Sequence, residues 1–350
     1  MKISVIMPIY NVKEYLESSV KSVFSGGVED IELIAVDDLS SDGTREILAS
    51  LAEKEPRIKA VFNEKNMGVA RVRNLALSLA SGDFIAFCDS DDAVPSGAYR
   101  AMLDAACGCD IVIGAYADVR DTGETTVINI QKRDKRSPFL ALLSCVGLWH
   151  KLIRREFIVK NGLNFDTDMK IGEDVVFLSH VAALRPRYRV IDTVVYHYRN
   201  NTLASTASLT HKYNYPSFCE HIKCREKMLD ICKGEYPECE SFIYNYFTDY
   251  LDDYIPKVLD KEEQEKCYKL YKDFMMRYDW KGHRGAFLAN CGMDYEYFKN
   301  ADLEMFLRKV HSASPRERVY NEFMAGKIGF RWIIKFTRAY VYYKFHRKGK

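Results

Sequence analysis

No stretch of eighteen apolar residues occurs anywhere in the 350-residue chain, so nothing in it has the length of a transmembrane helix. Met1 runs within two residues into the strand-like Ile3-Ser4-Val5-Ile6-Met7, which leaves no room for a signal peptide. A protein that neither spans a membrane nor leaves by the secretory route is expected. The ten cysteines (88, 107, 109, 145, 219, 224, 232, 239, 267, 291) contain no Cys-x-x-Cys pair. They read as reduced cytoplasmic thiols; zinc held through Cys107 and Cys109 would lack a second ligand pair nearby. There is no G-x-G-x-x-G after the first strand and no G-x-x-x-x-G-K-[ST], so dinucleotide-binding and P-loop readings have little support. Internal repeats and low-complexity linkers are missing too.

What is present is enough apolar material for a large core. Hydrophobic residues make up 47% of the chain, charged ones 29% and aromatic ones 13%, which excludes disordered and collagen-like classes. The length suits two domains, or one domain with an extension. Lysine and arginine number 51 against 49 aspartates and glutamates, yet residues 323 to 350 hold eight basic residues and no acidic one. The other 322 residues, with 43 basic and 49 acidic side chains, carry a net charge of −6. A mildly acidic globule therefore bears a basic tail, the asymmetry expected of contact with an anionic surface.

The first 120 residues alternate between short β-branched runs and amphipathic runs of helical length. Strands are predicted at Ile3 to Met7, Ile31 to Val36, Ile58 to Asn63, Phe84 to Cys88 and Ile111 to Ala117. Helices are predicted at Val12 to Ser25, Thr44 to Glu53, Gly68 to Ser81 and Gly97 to Cys107, with Asn11 capping the first and Gly26-Gly27 ending it. This alternation predicts an α/β fold with a mostly parallel, Rossmann-like sheet covered on both faces. Further strands are expected at Thr125 to Ile130 and Val190 to Tyr196, with helix starts near Pro138 and Arg154. Beyond about His211, aromatics at helical spacing (Phe242, Tyr246, Tyr250, Tyr254) predict a helical extension. The expected division is a core at 1–210 (nucleotide side 1–120, acceptor side 121–210), an extension at 211–325 and a tail at 326–350.

In open parallel sheets ligands bind beyond the carboxyl ends of the strands. Here those exits read Pro8-Ile9-Tyr10-Asn11, Asp37-Asp38-Leu39-Ser40-Ser41-Asp42-Gly43-Thr44, Asn63-Glu64-Lys65-Asn66-Met67-Gly68 and Asp89-Ser90-Asp91-Asp92. Each alone is ordinary turn chemistry. Three carboxylates within four residues after an apolar strand, however, repel one another and suit a hard divalent cation, Mg²⁺ or Mn²⁺, that takes its remaining ligands from phosphate. Arg71 and Arg73, in the helix opening at Gly68, are candidate donors to a diphosphate or, singly, surface ion-pair partners.

These four segments, in this order, resemble the motifs of family 2 glycosyltransferases over roughly residues 1 to 200. The resemblance implies the GT-A fold and inverting transfer from a nucleotide diphosphate sugar, most often a UDP-sugar. It implies that Pro8, Tyr10, Asp37 and Asp38 face the nucleoside, with Asn11, Asn66, Gly68, Arg71 and Ser90 lining the donor site. Asp89 then faces the ribose or sugar side, and Asp91 the metal. The family usually reads D-D-G-S where this chain has Asp37-Asp38-Leu39-Ser40. Gly172-Glu173-Asp174-Val175-Val176-Phe177 resembles the family's G-E-D-x-x-F element. Read by themselves, two carboxylates at a helix start offset its dipole; inverting transfer needs a base opposite the departing diphosphate, and Asp174 is that candidate, with Glu173 orienting it or the acceptor. Trp149-x-Lys151 offers a wall under the sugar and a cation near phosphate, or a packed tryptophan. His197 is a candidate third metal ligand or diphosphate contact, or else structural, and Arg199 adds charge beside it.

The function expected is glycosyl transfer to a growing glycan or a lipid-linked oligosaccharide of a bacterial surface polysaccharide, at the inner face of the plasma membrane. The alternatives are a sugar-1-phosphate nucleotidyltransferase, which would need a glycine-rich basic loop where Tyr10-Asn11-Val12-Lys13-Glu14 stands, and a non-enzymatic membrane-associated module. Donor sugar, linkage and oligomeric state are unspecified. In the tail, Lys327, Arg331, Lys335 and Arg338 form one helical stripe beside Ile328, Trp332, Phe336, Ala339 and Tyr343. That pattern suits an anionic membrane surface; an aromatic packing helix is the second reading, and nucleic acid the least favoured. Removal of residues 326 to 350 is expected to abolish salt-sensitive cosedimentation with anionic liposomes, at about 1 kcal/mol per basic residue at the surface, while leaving UDP binding intact.

Overall fold

The structure, a computed structural model, describes residues 1–120, 122–129, 138–143, 145–200, 213–232, 243, 254–278 and 295–311. The basic tail, and Phe242, Tyr246 and Tyr250, lie outside the described residues. The chain divides into two compact units, Met1–Ser205 and Thr206–Lys348.

In the first unit the predicted strands form with slightly different ends. They are β1 (Ile3–Ile9), β2 (Ile31–Asp37), β3 (Ile58–Phe62), β4 (Phe84–Phe87) and β5 (Ile111–Arg120), followed by β6 (Thr125–Ile128), β7 (Lys151–Arg154) and β8 (Tyr188–Asn200). Between them run α1 (Leu16–Phe24), α2 (Thr44–Lys54), α3 (Val69–Leu79), α4 (Ala98–Asp104), α5 (Pro138–Leu143), α6 (Arg155–Lys160) and α7 (Glu173–Ala183). Every residue of β2 and all but one of β1 are buried, which is why these strands read as continuous apolar runs without alternation.

The sheet order is β3-β2-β1-β4-β7-β5-β6, with β8 paired to β5. β3, β2, β1 and β4 are mutually parallel, as are β5 and β8; β6 and β7 run against their neighbours. The sheet is therefore mixed around a parallel core. β7, only four residues long and carrying a buried Lys and an Arg, was not among the predicted strands; it separates β4 from β5, and the helix expected to start near Arg154 follows it as α6. β8 is longer than predicted, and its register on β5 shifts around Ala115. The shift sits beside Gly114, where a Cβ would lie 2.4 Å from the Val195 side chain, so only glycine lets the two strands approach.

Asn11 does not cap α1. Its backbone adopts φ +51, its side chain turns to the β2–α2 loop, and α1 starts five residues later. The helix ends one residue before Ser25, and Gly27, at φ +83, reverses the chain after it.

The described part of the second unit is helical: α8 (Tyr215–Cys232), α9 (Lys261–Met276), α10 (Tyr295–Asn300) and α11 (Leu303–His311). Asp260 caps α9 through a 2.8 Å bond from the Glu263 amide, and Tyr268 and Tyr271 on that helix pack against Phe298 and Phe306.

At the amino-terminal edge of the sheet, Glu32 is 4% exposed and accepts bonds from the Ser4 hydroxyl at 2.5 Å and the Ser81 amide at 2.8 Å, with Lys2 and Lys59 each at 2.9 Å. Burial by itself would raise its pKa, but the bonds from Ser4, Ser81 and the two lysines outweigh it and hold the carboxyl far below the usual range. A depressed folded pKa means that the unfolded chain binds the extra proton, so this contribution is full above the unfolded glutamate pKa and is lost as pH falls below it. Glu32→Gln is expected to cost about 2 kcal/mol at pH 7 in chemical denaturation, the gap to wild type narrowing below about pH 4.

Candidate active site

The order β3-β2-β1-β4 places the exits of β1 and β4 on either side of the point where the connections change direction, the usual position of a crevice in open α/β sheets. Four loops meet there, and side chains knit them together. The Asn11 amide donates to Ser40 Oγ at 2.9 Å, and Asn11 Oδ1 accepts from the Ser41 amide at 2.9 Å. Asp42 accepts from the Lys13 and Thr44 amides and the Thr44 hydroxyl, and Thr44 Oγ1 in turn accepts from the Val12 amide. The first two strand exits thus form one body.

Asp38 was expected to face the nucleoside, yet its carboxylate is turned toward the third loop. Oδ1 accepts from Asn63 Nδ2 and the Met67 amide and Oδ2 from the Gly68 amide, all at 2.8 Å, and Asn66 Nδ2 reaches the Asp38 carbonyl. Asp38, Asn66 and Gly68 therefore build the wall of the crevice. Asp37 is different. Its Oδ2 meets Arg45 Nη1 and the Ser40 amide, both at 3.2 Å, while its buried Oδ1 has no partner among the described residues. An unpaired buried carboxylate oxygen at a strand exit awaits a donor such as a base N–H. Pro8 lies in β1 opposite Val36, and Tyr10, 53% exposed, follows at the rim.

Across the crevice, the Asp89-Ser90-Asp91-Asp92 turn separates into distinct tasks. Asp92 is buried and accepts from the Tyr196 hydroxyl at 2.8 Å and the Arg199 amide at 2.6 Å; the same hydroxyl accepts from the Asp89 amide. Burial, with Asp89 and Asp91 beside it, pushes the Asp92 carboxyl well above the usual range. Ser90 is buried within the turn. Asp91 is half-buried and accepts from no group but its own amide among the described residues; burial and Asp89 raise its pKa.

One arginine joins this turn to the head of α7. Arg73 Nη1 lies 2.5 Å from Glu173 Oε1 and its Nη2 lies 3.3 Å from Asp89 Oδ1. Arg73, expected as a phosphate donor, is 8% exposed and committed to these carboxylates. Arg71 is exposed and reaches the Met67 carbonyl. Asp174, beside Glu173, is half-buried, and burial and the Glu173 charge push it up to about 7 against the pull of Arg73.

One expectation fails on geometry. Lys151 cannot serve as a cation near phosphate. It is fully buried, and its ammonium donates to the Cys145 and Gly147 carbonyls and to His150 Nε2 at 2.6 to 2.8 Å, while burial lowers its pKa to about 8. Among the described residues no group of three His, Cys, Asp or Glu side chains is placed together as a metal cluster, and the part of His197 that the structure shows is structural. Its main chain pairs with Ala93, fixing the acidic turn to β8. Trp149 stacks on Tyr196 at 4.5 Å and on Tyr198 at 5.7 Å, meets Tyr116 edge-on, and lies so close to Gly147 that a Cβ there would touch its ring at 2.5 Å. It packs as a support of the acidic turn. The Arg199 guanidinium lies 4.7 Å over the Tyr15 ring.

The roles of Arg73, Tyr196 and Asp92 were not read from the sequence. A signal existed for Arg73, which falls three residues from both Ala70 and Ala76 on the buried stripe of α3.

The model of glycosyl transferase family 2 matches residues 4–188, which include every one of these loops. The chain belongs to that family. Among curated relatives, the minor teichoic acid biosynthesis protein GgaB of Bacillus subtilis is 31% identical over 257 residues, which is 69% of this chain and 28% of that protein. The cholesterol galactosyltransferase of Borreliella burgdorferi is 28% identical over 295 residues, 78% of this chain and 80% of the other. The fold matches that of S. aureus TarS 1–349 in complex with UDP-GlcNAc, with a TM-score of 0.69, 20% identity and 93% of each chain covered.

Leu39 stands where the family usually has glycine, and it adopts φ +68 with 44% of its surface exposed. A left-handed conformation costs an L-residue about 1–2 kcal/mol, against which glycine's greater freedom in the unfolded chain must be set. Leu39→Gly is therefore expected to raise stability by up to about 1 kcal/mol in thermal unfolding, whereas Leu39→Ala, which keeps a Cβ, gives no such gain.

Proposed function

We propose that the chain moves a sugar from a UDP-sugar to a hydroxyl of a cell-surface glycan or lipid-linked oligosaccharide, with inversion at the anomeric carbon. The observation that carries this reading is the juxtaposition of two acidic elements, Asp89 and Asp91 after β4 and Glu173 and Asp174 at the head of α7, joined through Arg73. The unpaired Asp37 oxygen and exposed Tyr10 receive the nucleobase, Asp89 the ribose or sugar side. A UDP-sugar is favoured because the same fold in TarS holds UDP-GlcNAc, and a surface polysaccharide because GgaB is a teichoic acid biosynthesis protein.

A divalent cation, Mn²⁺ or Mg²⁺, would be held by Asp91, whose carboxylate accepts from no group but its own amide among the described residues, with Asp89 beside it. When bound, such an ion supplies Lewis-acid stabilisation to the departing diphosphate. Asp174 takes the acceptor hydroxyl's proton as the new bond forms. With its pKa raised to about 7 it is a stronger base than an ordinary aspartate and is still substantially ionised near neutrality. No helix among the described residues is long and apolar enough to cross a membrane, and attachment to the inner face of the plasma membrane through residues 326–350 completes the proposal.

One pair of variants tests it. Asp91→Asn is expected to abolish the Mn²⁺-dependent stabilisation by UDP in thermal shift without unfolding the protein. Asp174→Asn is expected to retain donor affinity and lower transfer by about 10²- to 10⁴-fold. In the wild type, kcat should rise with pH through about 7 and then level, because the base must be unprotonated; a flat profile in Asp174→Asn would confirm the assignment. Wild-type turnover in that variant, measured as UDP release with a competent acceptor, would place the base elsewhere.

A further inference from the structure

Two layers connect the exit of β4 to the head of α7. The lower layer is apolar: Phe165 stacks on Phe177 at 4.3 Å and meets Phe87 edge-on at 5.7 Å, with Phe87 two residues before Asp89 and Phe177 three after Asp174. Asn74 secures Phe165 in place, donating to its carbonyl at 2.8 Å and accepting from its amide at 2.7 Å. The upper layer is ionic and consists of Arg73, whose guanidinium lies 5.5 Å over the Phe165 ring and reaches Glu173 and Asp89 with separate nitrogens. The apolar layer and Asn74 join the backbone segments through contacts of their own. What Arg73 adds is the orientation of the two carboxylates.

We infer that Arg73 is a positioning residue that sets the Asp89 carboxylate for the donor and, through Glu173, the first turn of α7 for the acceptor, so that Glu173 serves the arginine and not the substrate. The inference rests on the glycosyl transfer proposed above. The two arms differ. The Glu173 arm is short and buried, with both side chains about a tenth exposed, whereas Asp89 is 34% exposed at a 3.3 Å contact. Such a geometry fixes Glu173 firmly and holds the more exposed Asp89 by one oxygen at a longer contact. A guanidinium suits this task because its fork presents donors in two directions, which an ammonium on one point cannot reproduce.

The test compares Glu173→Gln, Arg73→Met, Arg73→Lys and the double variant Arg73→Met/Glu173→Gln. The readouts are calorimetric binding of UDP with Mn²⁺, steady-state transfer and thermal unfolding. Removing the arginine alone strands a buried glutamate and can unfold the chain; the double variant removes both charges and keeps the test open. Expected are a folded double variant with kcat lowered about 10²-fold and UDP binding weakened severalfold, and Glu173→Gln with lowered kcat but UDP binding within about twofold of wild type. Where Arg73→Met folds, its kcat loss and that of Glu173→Gln should not add in the double variant, and Arg73→Lys should recover part of the loss. A folded double variant with wild-type kcat and UDP affinity would show the bridge to be structural only and overturn the inference. Absence of UDP binding in the wild type would instead refute the donor assignment, and this inference with it.

Discussion

The crevice exists because a crowd of carboxylates at one edge of a sheet is compensated unevenly. Asp37, Asp38, Asp42, Asp89, Asp91, Asp92, Glu173 and Asp174 gather around the exits of the parallel strands, and like charges so arranged would push the loops apart unless each were answered. Arg45 answers Asp37, backbone amides answer Asp38 and Asp42, the Tyr196 hydroxyl and the Arg199 amide answer Asp92, and Arg73 answers Asp89 and Glu173. Each pairing also ties two segments together, so neutralising the charge and assembling the loops are one process. What is left over is specific: one oxygen of Asp37, the carboxylate of Asp91, and Asp174, held protonatable near neutrality. Those residual groups are of the kinds needed for a base donor, a cation and a proton.

The parallel core was legible because its strands β1, β2 and β4 are buried on both faces and its helices are amphipathic, so the period of the hydrophobic pattern changes from element to element. β7 was not, since four residues with lysine and arginine in them carry no period, and their strand character comes only from pairing with β4 and β5. The family was legible from the order of four motifs, but the hydrogen bonding within each motif was not. Asp37 and Asp38 are adjacent and chemically identical, yet one keeps an open oxygen and the other is saturated, a difference fixed by the path of residues 63–68 in three dimensions. Lys151 misleads in the same way: sequence shows a cation near an expected phosphate site, and only the fold reveals that the Cys145–Gly147 turn surrounds it.

Leu39 and Gly114 show opposite answers to a similar demand on the backbone. At Gly114 a neighbouring side chain occupies the space a Cβ would need, so glycine is obligatory. At Leu39 the left-handed turn is imposed by the bonds that Asp37, Asp38 and Ser40 make around it, and a leucine is carried at a conformational cost. The network around Asp38 must therefore exceed that cost, which accounts for a loop that keeps its form although the family's usual glycine is gone.

The two edges of the sheet set the same chemistry to different ends. At the amino edge Glu32 is surrounded by Ser4, Ser81, Lys2 and Lys59 until its carboxylate has nothing further to offer, and its energy is spent on holding β1, β2 and β3 in register. At the carboxyl edge the chain gathers acids, and among the described residues no lysine or arginine forms an ion pair with Asp91, although the Arg199 charge acts on it. Lysines bonded to Glu32 and none, among the described residues, to Asp91 is a difference of placement, not of composition, since the chain has nearly equal numbers of each charge. A sheet whose amino edge is saturated can tolerate an unsaturated carboxyl edge, because the register that fixes the crevice is secured about one strand length away from it. Stability and reactivity are thus separated along the same strands, with Ser4 and Glu32 at one end of β1 and β2 and Ile9 and Asp37 at the other.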